Sequence, residues 1–249
     1  MGVGGRSAEP VVFSVVVPLR DEEPNLASLH TEIAAALEAA GIPWEVVYVD
    51  DGSVDDGPRI LRDLAIRDPR ARVVTLARGY GQSTALVAGA EAARGEWIGT
   101  LDADGQNDPR DLVTFLAEAR SGVAEVVTGY RAERADRWVR RASSRVANTV
   151  RNRLSGDRIL DVGCSVRVFP RRAMLEAVRF EGMHRFLPTL FRIAGYRVVE
   201  RPVGHRPRRA GQSKYGIHNR LWRGLADLFV VRRLVRGRVR YEIADGDGG

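Results

Sequence analysis

The chain has 249 residues, a length that suits one large α/β domain or one domain with a helical appendage. Its 39 basic residues are 38 arginines and one lysine, Lys214, and the formal net charge is +7. The one cysteine, Cys164, excludes a disulfide framework and a cysteine-rich metal site. The chain has no apolar run of 18 residues, so we do not expect it to cross a membrane unaided.

Strands and helices alternate through the first 130 residues. The first apolar run is followed by Pro18, which we expect to end that strand, Asn25 is the expected N-cap of the first helix, and Pro109 is the expected first residue of another. The predicted strands cover 11–17, 44–49, 72–76, 97–101 and 124–128, and the predicted helices include 25–40, 57–67 and 81–93. This alternation predicts right-handed βαβ crossovers and an open, mostly parallel sheet.

The pattern after residue 130 is less regular. We expect a basic helix over 137–154, a strand-like return over 161–170, a short helix over 186–194, a strand over 196–203, a Gly- and Arg-rich loop over 204–216 and a basic amphipathic helix over 218–235. The predicted organisation is a flexible leader (1–10), a main domain (11–217) with halves 11–130 and 131–217, a basic interfacial helix (218–240) and a flexible tail (241–249).

The positive charge is concentrated in the second half of the chain. Residues 1–130 hold 11 arginines against 21 acidic residues, and residues 131–240 hold 28 basic residues against eight acidic ones. Such a field attracts nucleic acid, anionic lipid headgroups or phosphorylated substrates, and it also fits a solvated basic face.

Three polar clusters, at residues 20–23, 50–53 and 102–106, follow predicted strands. Ligands of open α/β sheets bind at the carboxyl ends of the strands, so we expect the clusters to meet in one crevice. Asp102 and Asp104 lie one residue apart after a buried strand, and such a pair suits a hard divalent cation that carries phosphate oxygens. Taken alone, each cluster also fits turn and capping chemistry.

Glycine-rich phosphate-binding motifs are absent from the sequence. No Gly-x-Gly-x-x-Gly follows the first strand, and no Gly-Lys-Ser/Thr occurs. A metal is then the expected means of neutralising bound phosphates. The single lysine, in Gly211-Gln-Ser-Lys-Tyr-Gly216, is a further candidate, because a compact ammonium is not interchangeable with a guanidinium at a phosphate.

Four motifs together resemble the inverting family 2 glycosyltransferases, and most of all the dolichyl- or polyprenyl-phosphate mannose or glucose synthase branch. They are Val17-Pro-Leu-Arg-Asp-Glu22, Val49-Asp-Asp-Gly-Ser53, Leu101-Asp-Ala-Asp-Gly-Gln-Asn-Asp-Pro109 and Arg209-Ala-Gly-Gln-Ser-Lys-Tyr215. The resemblance covers about residues 11–230. It implies an α/β fold of the GT-A type, which binds nucleotide sugars on a mostly parallel central sheet, followed by a C-terminal basic amphipathic helix.

The resemblance also implies a role for each motif. The nucleotide-binding residues it implies are Pro18, Arg20, Glu22, Asp50, Asp51, Asp102 and Ala103. The residues it implies for Mg²⁺ or Mn²⁺ are Asp104 and Gln106, and those for the acceptor phosphate are Arg131, Arg140 and Ser144. The catalytic set it implies is Asp104, Arg209 and Lys214, the last two on a mobile loop that closes over the donor phosphates.

Three features depart from that branch. The chain ends after the basic helix, where the branch often continues into transmembrane helices. It has Asp161-Val-Gly-Cys-Ser-Val-Arg167 where a Ser-Gly pair after Asp-Pro is common. It has Met183-His-Arg-Phe-Leu187 in place of the Gln-x-x-Arg-Trp motif of processive members, which favours transfer of one sugar.

The leading hypothesis is transfer of one sugar, with inversion, from a GDP-mannose or UDP-glucose type donor to a polyprenyl phosphate. The protein would act as a peripheral protein at the cytoplasmic face of an anionic membrane, and a membrane-embedded partner protein is compatible with this hypothesis. A second hypothesis is a soluble hydroxyl acceptor, which needs a general base, and Asp161 is the best candidate for that base. A third is a non-catalytic nucleic-acid-binding protein, although its acidic crevice would repel phosphate without a metal and its aromatic residues form no stacking platform.

Overall fold

The structure is a computed structural model that describes residues 10–131, 159–161, 163–204, 206–207 and 233. Strands and helices alternate first, as β1 (Phe13–Leu19), α1 (Glu23–Ala39), β2 (Trp44–Asp50), α2 (Gly57–Arg67), β3 (Ala71–Thr75), α3 (Gln82–Ala92), β4 (Trp97–Thr100), α4 (Arg110–Arg120) and β5 (Val126–Arg131). They are followed by β6 (Arg167–Pro170), α5 (Arg171–Glu176), a 3-10 turn (Met183–Arg185), α6 (Leu187–Ile193) and β7 (Val198–Val203).

The described strands form one sheet in the order β3-β2-β1-β4-β6-β5-β7. β1 pairs in parallel with both β2 and β4, and β5 pairs in parallel with β7. β6 is antiparallel to its neighbours β4 and β5. The predicted mostly parallel sheet is therefore confirmed, and the exception is the return strand of the second half.

Helices cover both faces of the sheet. The side chains of Val15 and Val17 join a core cluster with α1, α2 and α4, whereas Val16 joins a second cluster with α3, α5 and α6. All three valines are fully buried. A strand with both faces buried needs apolar residues at successive positions, which explains the unbroken valine run of β1.

Some predicted boundaries were wrong. Pro18 does not end β1, which continues to Leu19; at Pro18 the strand pairs with β2 alone, because the β4 ladder stops at Val16. Asn25 does not cap α1: Glu22 holds the N-cap position, and Asn25 lies in the first turn, where its amide donates to the Glu22 carboxylate at 2.8 Å.

Other predicted boundaries also differ from the structure. Pro109 is the N-cap of α4 and not its first helical residue. β5, predicted over 124–128, starts at Val126 and runs to Arg131. It ends three residues later than predicted because its ladder with β7 continues to the Arg131–Val203 pair. Of the predicted return over 161–170, only Arg167–Pro170 is a strand.

Candidate active site

The loops that follow β1 and β2 are joined at the carboxyl edge of the sheet. The N–H of Asp51 donates to the carbonyl oxygen of Leu19 at 2.9 Å. The N–H of Asp21 donates to the Ser53 hydroxyl oxygen at 2.8 Å, and the N–H of Val54 donates to the Asp21 carboxylate at 2.7 Å. The first two polar clusters therefore lie side by side.

Three residues predicted to contact the nucleotide lie on or just after β1. Pro18 is in the strand, Glu22 begins α1, and the Arg20 guanidinium extends over Gly79. A Cβ atom on Gly79 would lie 2.2 Å from Nη1 of Arg20, and one on Gly52 would lie 2.7 Å from the Gly79 nitrogen. Gly52 also has a φ of +75°, so a side chain there would both strain the backbone and push the two loops apart.

Asp50 and Asp51 hold backbone N–H groups with their carboxylates. Asp50 accepts the N–H of Ser53 at 2.9 Å. The two oxygens of Asp51 accept the N–H groups of Tyr80 and Gly81, at 2.6 and 2.8 Å. Asp51 therefore fixes the loop that leads into α3. A carboxylate oxygen accepts more than one hydrogen bond, so these contacts leave both residues able to receive a ligand donor.

Asp102 and Asp104 occupy the loop after β4, which we call the acidic loop (residues 102–108). Asp102 accepts the Gln82 side-chain amide at 3.0 Å, and Asp104 accepts the N–H of Gln106 at 3.2 Å. Ala103 between them is buried. Burial and the like charge of Asp104 raise the pKa of Asp102, against the opposing effect of nearby donors. A divalent cation would relieve this repulsion, so the pair fits a metal.

A pocket opens between the acidic loop and the segment that precedes β6. Its lining residues are Asp102, Asp104, Gln106, Asn107, Arg131, Gly163, Cys164 and Ser165. Three of the predicted donor and metal residues thus share a pocket with one predicted acceptor-phosphate residue. One side of the pocket carries carboxylates, and the other carries a guanidinium.

Arg131 is held in the pocket by Asp161. Its Nε donates to one carboxylate oxygen at 2.7 Å and its Nη2 to the other at 3.0 Å, so the ion pair is bidentate. Asp161 also accepts the N–H of Gly163 at 3.0 Å. Burial lowers the pKa of Arg131, but the hydrogen bonds and charge of Asp161 outweigh this effect, so the pKa is raised overall. Arg131 therefore remains a cation.

Several residues next to the pocket were not singled out by the sequence analysis. Asn107 donates to the Ser165 hydroxyl at 2.9 Å, and the buried Arg167 contributes positive charge beside Asp102. On α3, Gln82 binds Asp102, and the neighbouring Ser83 hydroxyl lies 2.8 Å from Nδ1 of His184. Asn107 lies within the acidic motif, and Ser165, Arg167 and His184 lie within the two segments that depart from the family branch, whereas no sequence signal marks Gln82 or Ser83.

Cys164 lines the pocket without being a nucleophile candidate. Its thiol is buried, and burial raises its pKa to about 11. A thiol with such a pKa is protonated near neutral pH, and the thiolate is the reactive form.

Four predicted site residues, Arg140, Ser144, Arg209 and Lys214, lie outside the described residues. The same holds for the predicted leader up to residue 9, the basic helix over 137–154, the helix over 218–240 apart from residue 233, and the tail, and also for most of the loop over 204–216. Within the described part, no helix has the length and apolarity needed to span a bilayer. Nor do three or more His, Cys, Asp or Glu side chains of that part cluster as a metal site, so a cation there needs oxygens from the amide of Gln106 and from a ligand.

Comparison with known proteins gives a consistent family assignment. The protein-family model described as glycosyl transferase family 2 matches residues 14–178 of the chain. The chain is 36% identical over 235 residues to the dodecaprenyl-phosphate galacturonate synthase of Rhizobium johnstonii, covering 92% of this chain and 68% of that protein. It is 37% identical over 206 residues to the undecaprenyl-phosphate 4-deoxy-4-formamido-L-arabinose transferase of Edwardsiella ictaluri, covering 82% and 63%. The chain thus spans about two thirds of the length of these relatives.

Solved structures share the fold at low identity. A mannosyltransferase from Pyrobaculum calidifontis, in complex with GDP-Man and Mn²⁺, aligns with a TM-score of 0.63 at 19% identity, over 94% of this chain and 68% of that one. Glucosyl-3-phosphoglycerate synthase from Mycobacterium tuberculosis, in complex with Mn²⁺, UDP and glucosyl-3-phosphoglycerate, aligns with a TM-score of 0.65 at 20% identity, over 92% and 81%. These neighbours confirm the predicted GT-A fold.

Proposed function

Because the chain belongs to glycosyl transferase family 2, we propose that it transfers one sugar from a nucleotide diphosphate sugar to a polyprenyl phosphate, with inversion. The names of its curated relatives support a polyprenyl-phosphate acceptor. The donors bound to its structural neighbours support a GDP- or UDP-sugar. In the proposed reaction an acceptor phosphate oxygen bonds to the anomeric carbon as the bond from that carbon to the nucleoside diphosphate breaks.

The observation that carries the proposal is the position of Arg131. Its guanidinium lines the same pocket as Asp102 and Asp104 and is fixed there by Asp161. A guanidinium matches the geometry of a phosphate, so Arg131 is suited to hold the acceptor phosphate next to the donor site. Arg140 and Ser144 complete the acceptor site in this proposal.

A phosphate acceptor removes the need for a general base. A phosphate monoester has its second pKa at about 6, so the attacking oxygen is already anionic near neutral pH. The alternative hydroxyl acceptor needs a base, and both oxygens of its candidate, Asp161, bind Arg131. A carboxylate held in this way is a poor proton acceptor. The geometry therefore favours the phosphate acceptor over the hydroxyl.

For the donor, we assign the loops after β1 and β2 to the nucleoside and the acidic loop to the diphosphate. Asp50, Asp51 and Asp102 offer acceptors for base N–H groups and ribose hydroxyls, beside Pro18, Arg20, Glu22 and Ala103. Asp104 and Gln106 would hold Mg²⁺ or Mn²⁺, which supplies positive charge to the leaving diphosphate. The Gln106 amide nitrogen donates to the Arg206 carbonyl at 3.2 Å, so the amide oxygen of Gln106 is directed away from that carbonyl. Arg209 and Lys214 add charge at the leaving group.

We further propose that the protein works at the cytoplasmic face of a membrane. Lys and Arg residues near a membrane surface each contribute about 1 kcal/mol of attraction to an anionic leaflet, and residues 131–240 are strongly basic. Flotation with anionic liposomes at low salt tests this part: protein that stays at the bottom of the gradient contradicts it. The acidic pocket and the family assignment leave no support for the nucleic-acid-binding hypothesis.

A thermal-shift panel of UDP- and GDP-sugars, with and without Mn²⁺, tests the donor site. A ligand that binds the folded protein raises its melting temperature. At one hundred times its Kd, the ligand adds about 2.7 kcal/mol to the free energy of unfolding. We expect one nucleotide class to give a Mn²⁺-dependent shift that Asp104→Ala abolishes. The control is Asp63→Ala, which removes a partly exposed aspartate of α2 that pairs with Arg59 and should keep the shift. No shift with any nucleotide contradicts the proposal.

A further inference from the structure

The segment after β7 is bonded to the acidic loop in both directions. The N–H of Arg206 donates to the Gln106 carbonyl at 2.8 Å. The side-chain amide of Gln106 donates back to the Arg206 carbonyl at 3.2 Å. A residue 100 positions away in the chain therefore fixes both the backbone and the side chain of Gln106.

The Arg206 side chain extends this contact to two further parts of the protein. Nη1 donates to the Glu32 carboxylate of α1 at 2.7 Å, and Nη2 donates to the Asp108 carboxylate at 2.6 Å. The planar fork of a guanidinium can bridge two carboxylates in fixed directions, which the single ammonium of a lysine cannot do. The Arg206 guanidinium thus bridges Glu32 of α1 and Asp108 of the acidic loop, and it links the loop to the helix.

These contacts lie on both sides of Asn107. Gln106 and Asp108 are each bonded to Arg206, and Asn107 donates its side-chain amide to the Ser165 hydroxyl at 2.9 Å. Asp108 is also paired with Arg110 at 2.6 Å, so it is bound from two directions. Apart from the N–H of Gln106, which donates to Asp104, these contacts to the second half of the acidic loop come from outside the loop.

We propose that Arg206 is a positioning residue for the acidic loop: its contacts to Gln106 and Asp108 keep Asp104 and Gln106 in the geometry needed to bind a divalent cation with the donor diphosphate. This inference rests on the proposed function for its metal and donor. The backbone of Arg206 contacts Gln106 directly, whereas its side chain binds the carboxylates of Glu32 and Asp108. Its effect on a ligand therefore passes through the loop, as is usual for residues that orient metal ligands.

The free energy of unfolding of the whole protein is a poor measure of the positioning role of Arg206. The side chains of Arg206, Glu32 and Asp108 are 34%, 28% and 17% exposed. Ion pairs that reach solvent contribute little to the free energy of folding. A change confined to the acidic loop is the expected signature of Arg206, and a loss of overall stability is not.

Hydrogen exchange of the ligand-free protein tests the positioning directly. Arg206→Ala keeps the two backbone contacts to Gln106 and removes the side-chain contacts to Glu32 and Asp108. Without this side-chain support we expect faster backbone exchange in a peptide that covers residues 102–110 and unchanged exchange in β1 and β2. The matched control is Arg201→Ala, which removes an arginine of β7 that is paired with Glu118 of α4, away from the acidic loop. Exchange in residues 102–110 that is the same in Arg206→Ala as in the wild type overturns the inference, whatever the protein binds.

Calorimetric titration with Mn²⁺, in the presence of GDP and separately of UDP, tests whether Arg206 affects metal binding. We expect Arg206→Ala to weaken Mn²⁺ binding about tenfold, at the low end of the 10–100-fold effects of lost supporting contacts at metal sites. Glu32→Gln should weaken it by a smaller factor, and Arg206→Lys should restore only part of the loss. Unchanged Mn²⁺ affinity in Arg206→Ala, or an equal loss in Arg201→Ala, overturns the metal role. A wild type that binds no nucleotide with Mn²⁺ overturns the proposed function instead, and the exchange measurement still decides whether Arg206 positions the loop.

Discussion

At the scale of single residues, the ion pair between Arg131 and Asp161 bears on whether the acceptor is a phosphate or a hydroxyl. In the proposed function, the acceptor phosphate and the carboxylate of Asp161 would compete for the same guanidinium, but a guanidinium has five N–H donors and only two side-chain donors bind Asp161. The remaining donors can bind a phosphate while the ion pair keeps the side chain in position. On this proposal Asp161 orients Arg131 and takes no proton.

Asp161→Asn separates an orienting role from a basic one. The substitution keeps the size of the side chain but removes its charge, so Arg131 loses a charge-assisted partner and its position becomes less fixed. We expect the KM for a short polyprenyl phosphate to rise roughly tenfold, which is about 1.4 kcal/mol, with a smaller change in kcat. Steady-state kinetics with varied acceptor provides the measurement.

The opposite pattern identifies a general base. Loss of such a base lowers kcat by about 10²–10⁴ with little change in KM, and it removes the acidic limb of the pH profile. That result would favour the hydroxyl acceptor. Glu118→Gln is the control, because Glu118 also pairs with an arginine but lies outside the pocket lining, and its kinetics should match the wild type.

At the scale of elements, helix α3 connects sheet packing to the pocket. Gly89 faces the sheet so closely that a Cβ atom there would lie 2.3 Å from Val16 and 3.0 Å from Val49. The first turn of the same helix carries Gln82, which binds Asp102, and Ser83, which binds His184. The distance between α3 and the sheet therefore sets the position of two side chains at the pocket.

Gly89→Ala should destabilise the protein even though alanine is the better helix former. The helix gains about 1 kcal/mol of intrinsic propensity, but overpacking against β1 and β2 costs about 1–3 kcal/mol and forces α3 outward. We expect a lower urea midpoint and weaker nucleotide-induced stabilisation. Thr84→Ala, at an exposed position of α3, should leave both unchanged or slightly raise the midpoint. A Gly89→Ala protein as stable as the wild type contradicts the close packing.

The sequence was sufficient for elements whose signal is local. The valine run of β1 predicted a strand buried on both faces, and the acids after β4 predicted the acidic loop, because each pattern lies within a few residues. The antiparallel pairing of β6 and the contacts of Arg206 with the acidic loop depend on residues far apart in the sequence, such as Arg206 and Glu32, which are 174 positions apart. With 38 arginines in the chain, nothing local distinguishes Arg206 from the others.

At the scale of the whole molecule, two histidines of the described part couple folding to pH from opposite faces of the sheet. His30 on α1 lies 3.1 Å from the Tyr48 hydroxyl and 3.4 Å from the Asp68 carboxylate, ahead of β3. Burial lowers its pKa, although Asp68 opposes this. His184 lies in the 3-10 turn, 2.8 Å from the Ser83 hydroxyl of α3, and burial with the charges of Arg185 and Arg167 lowers its pKa to about 3.

The sign of the pH effect follows from these shifts. An unfolded histidine has a pKa of about 6.5, so below pH 6.5 the unfolded chain binds protons that the folded protein excludes. The stabilisation is therefore complete above pH 6.5 and is lost as the pH falls towards the folded pKa. Asp108 does not contribute in this window, because hydrogen bonds from Arg110, and the charge of Arg206, lower its pKa to about 2. Asp102, with a raised pKa, acts in the opposite direction.

We expect the free energy of unfolding to fall between pH 7 and pH 5, with about 2 kcal/mol of the loss due to His184. Urea unfolding at both pH values measures it. In His184→Gln, which has no proton to exclude, the loss should be smaller than in the wild type by that amount, and the effect of Asp102 cancels in the comparison. His30→Gln should reduce the loss independently, because His30 packs between α1 and β2 and does not contact α3. Equal pH dependence in His184→Gln and the wild type would mean that His184 is readily protonated in the folded protein, and that the Ser83 hydroxyl does not hold a neutral imidazole beside the pocket.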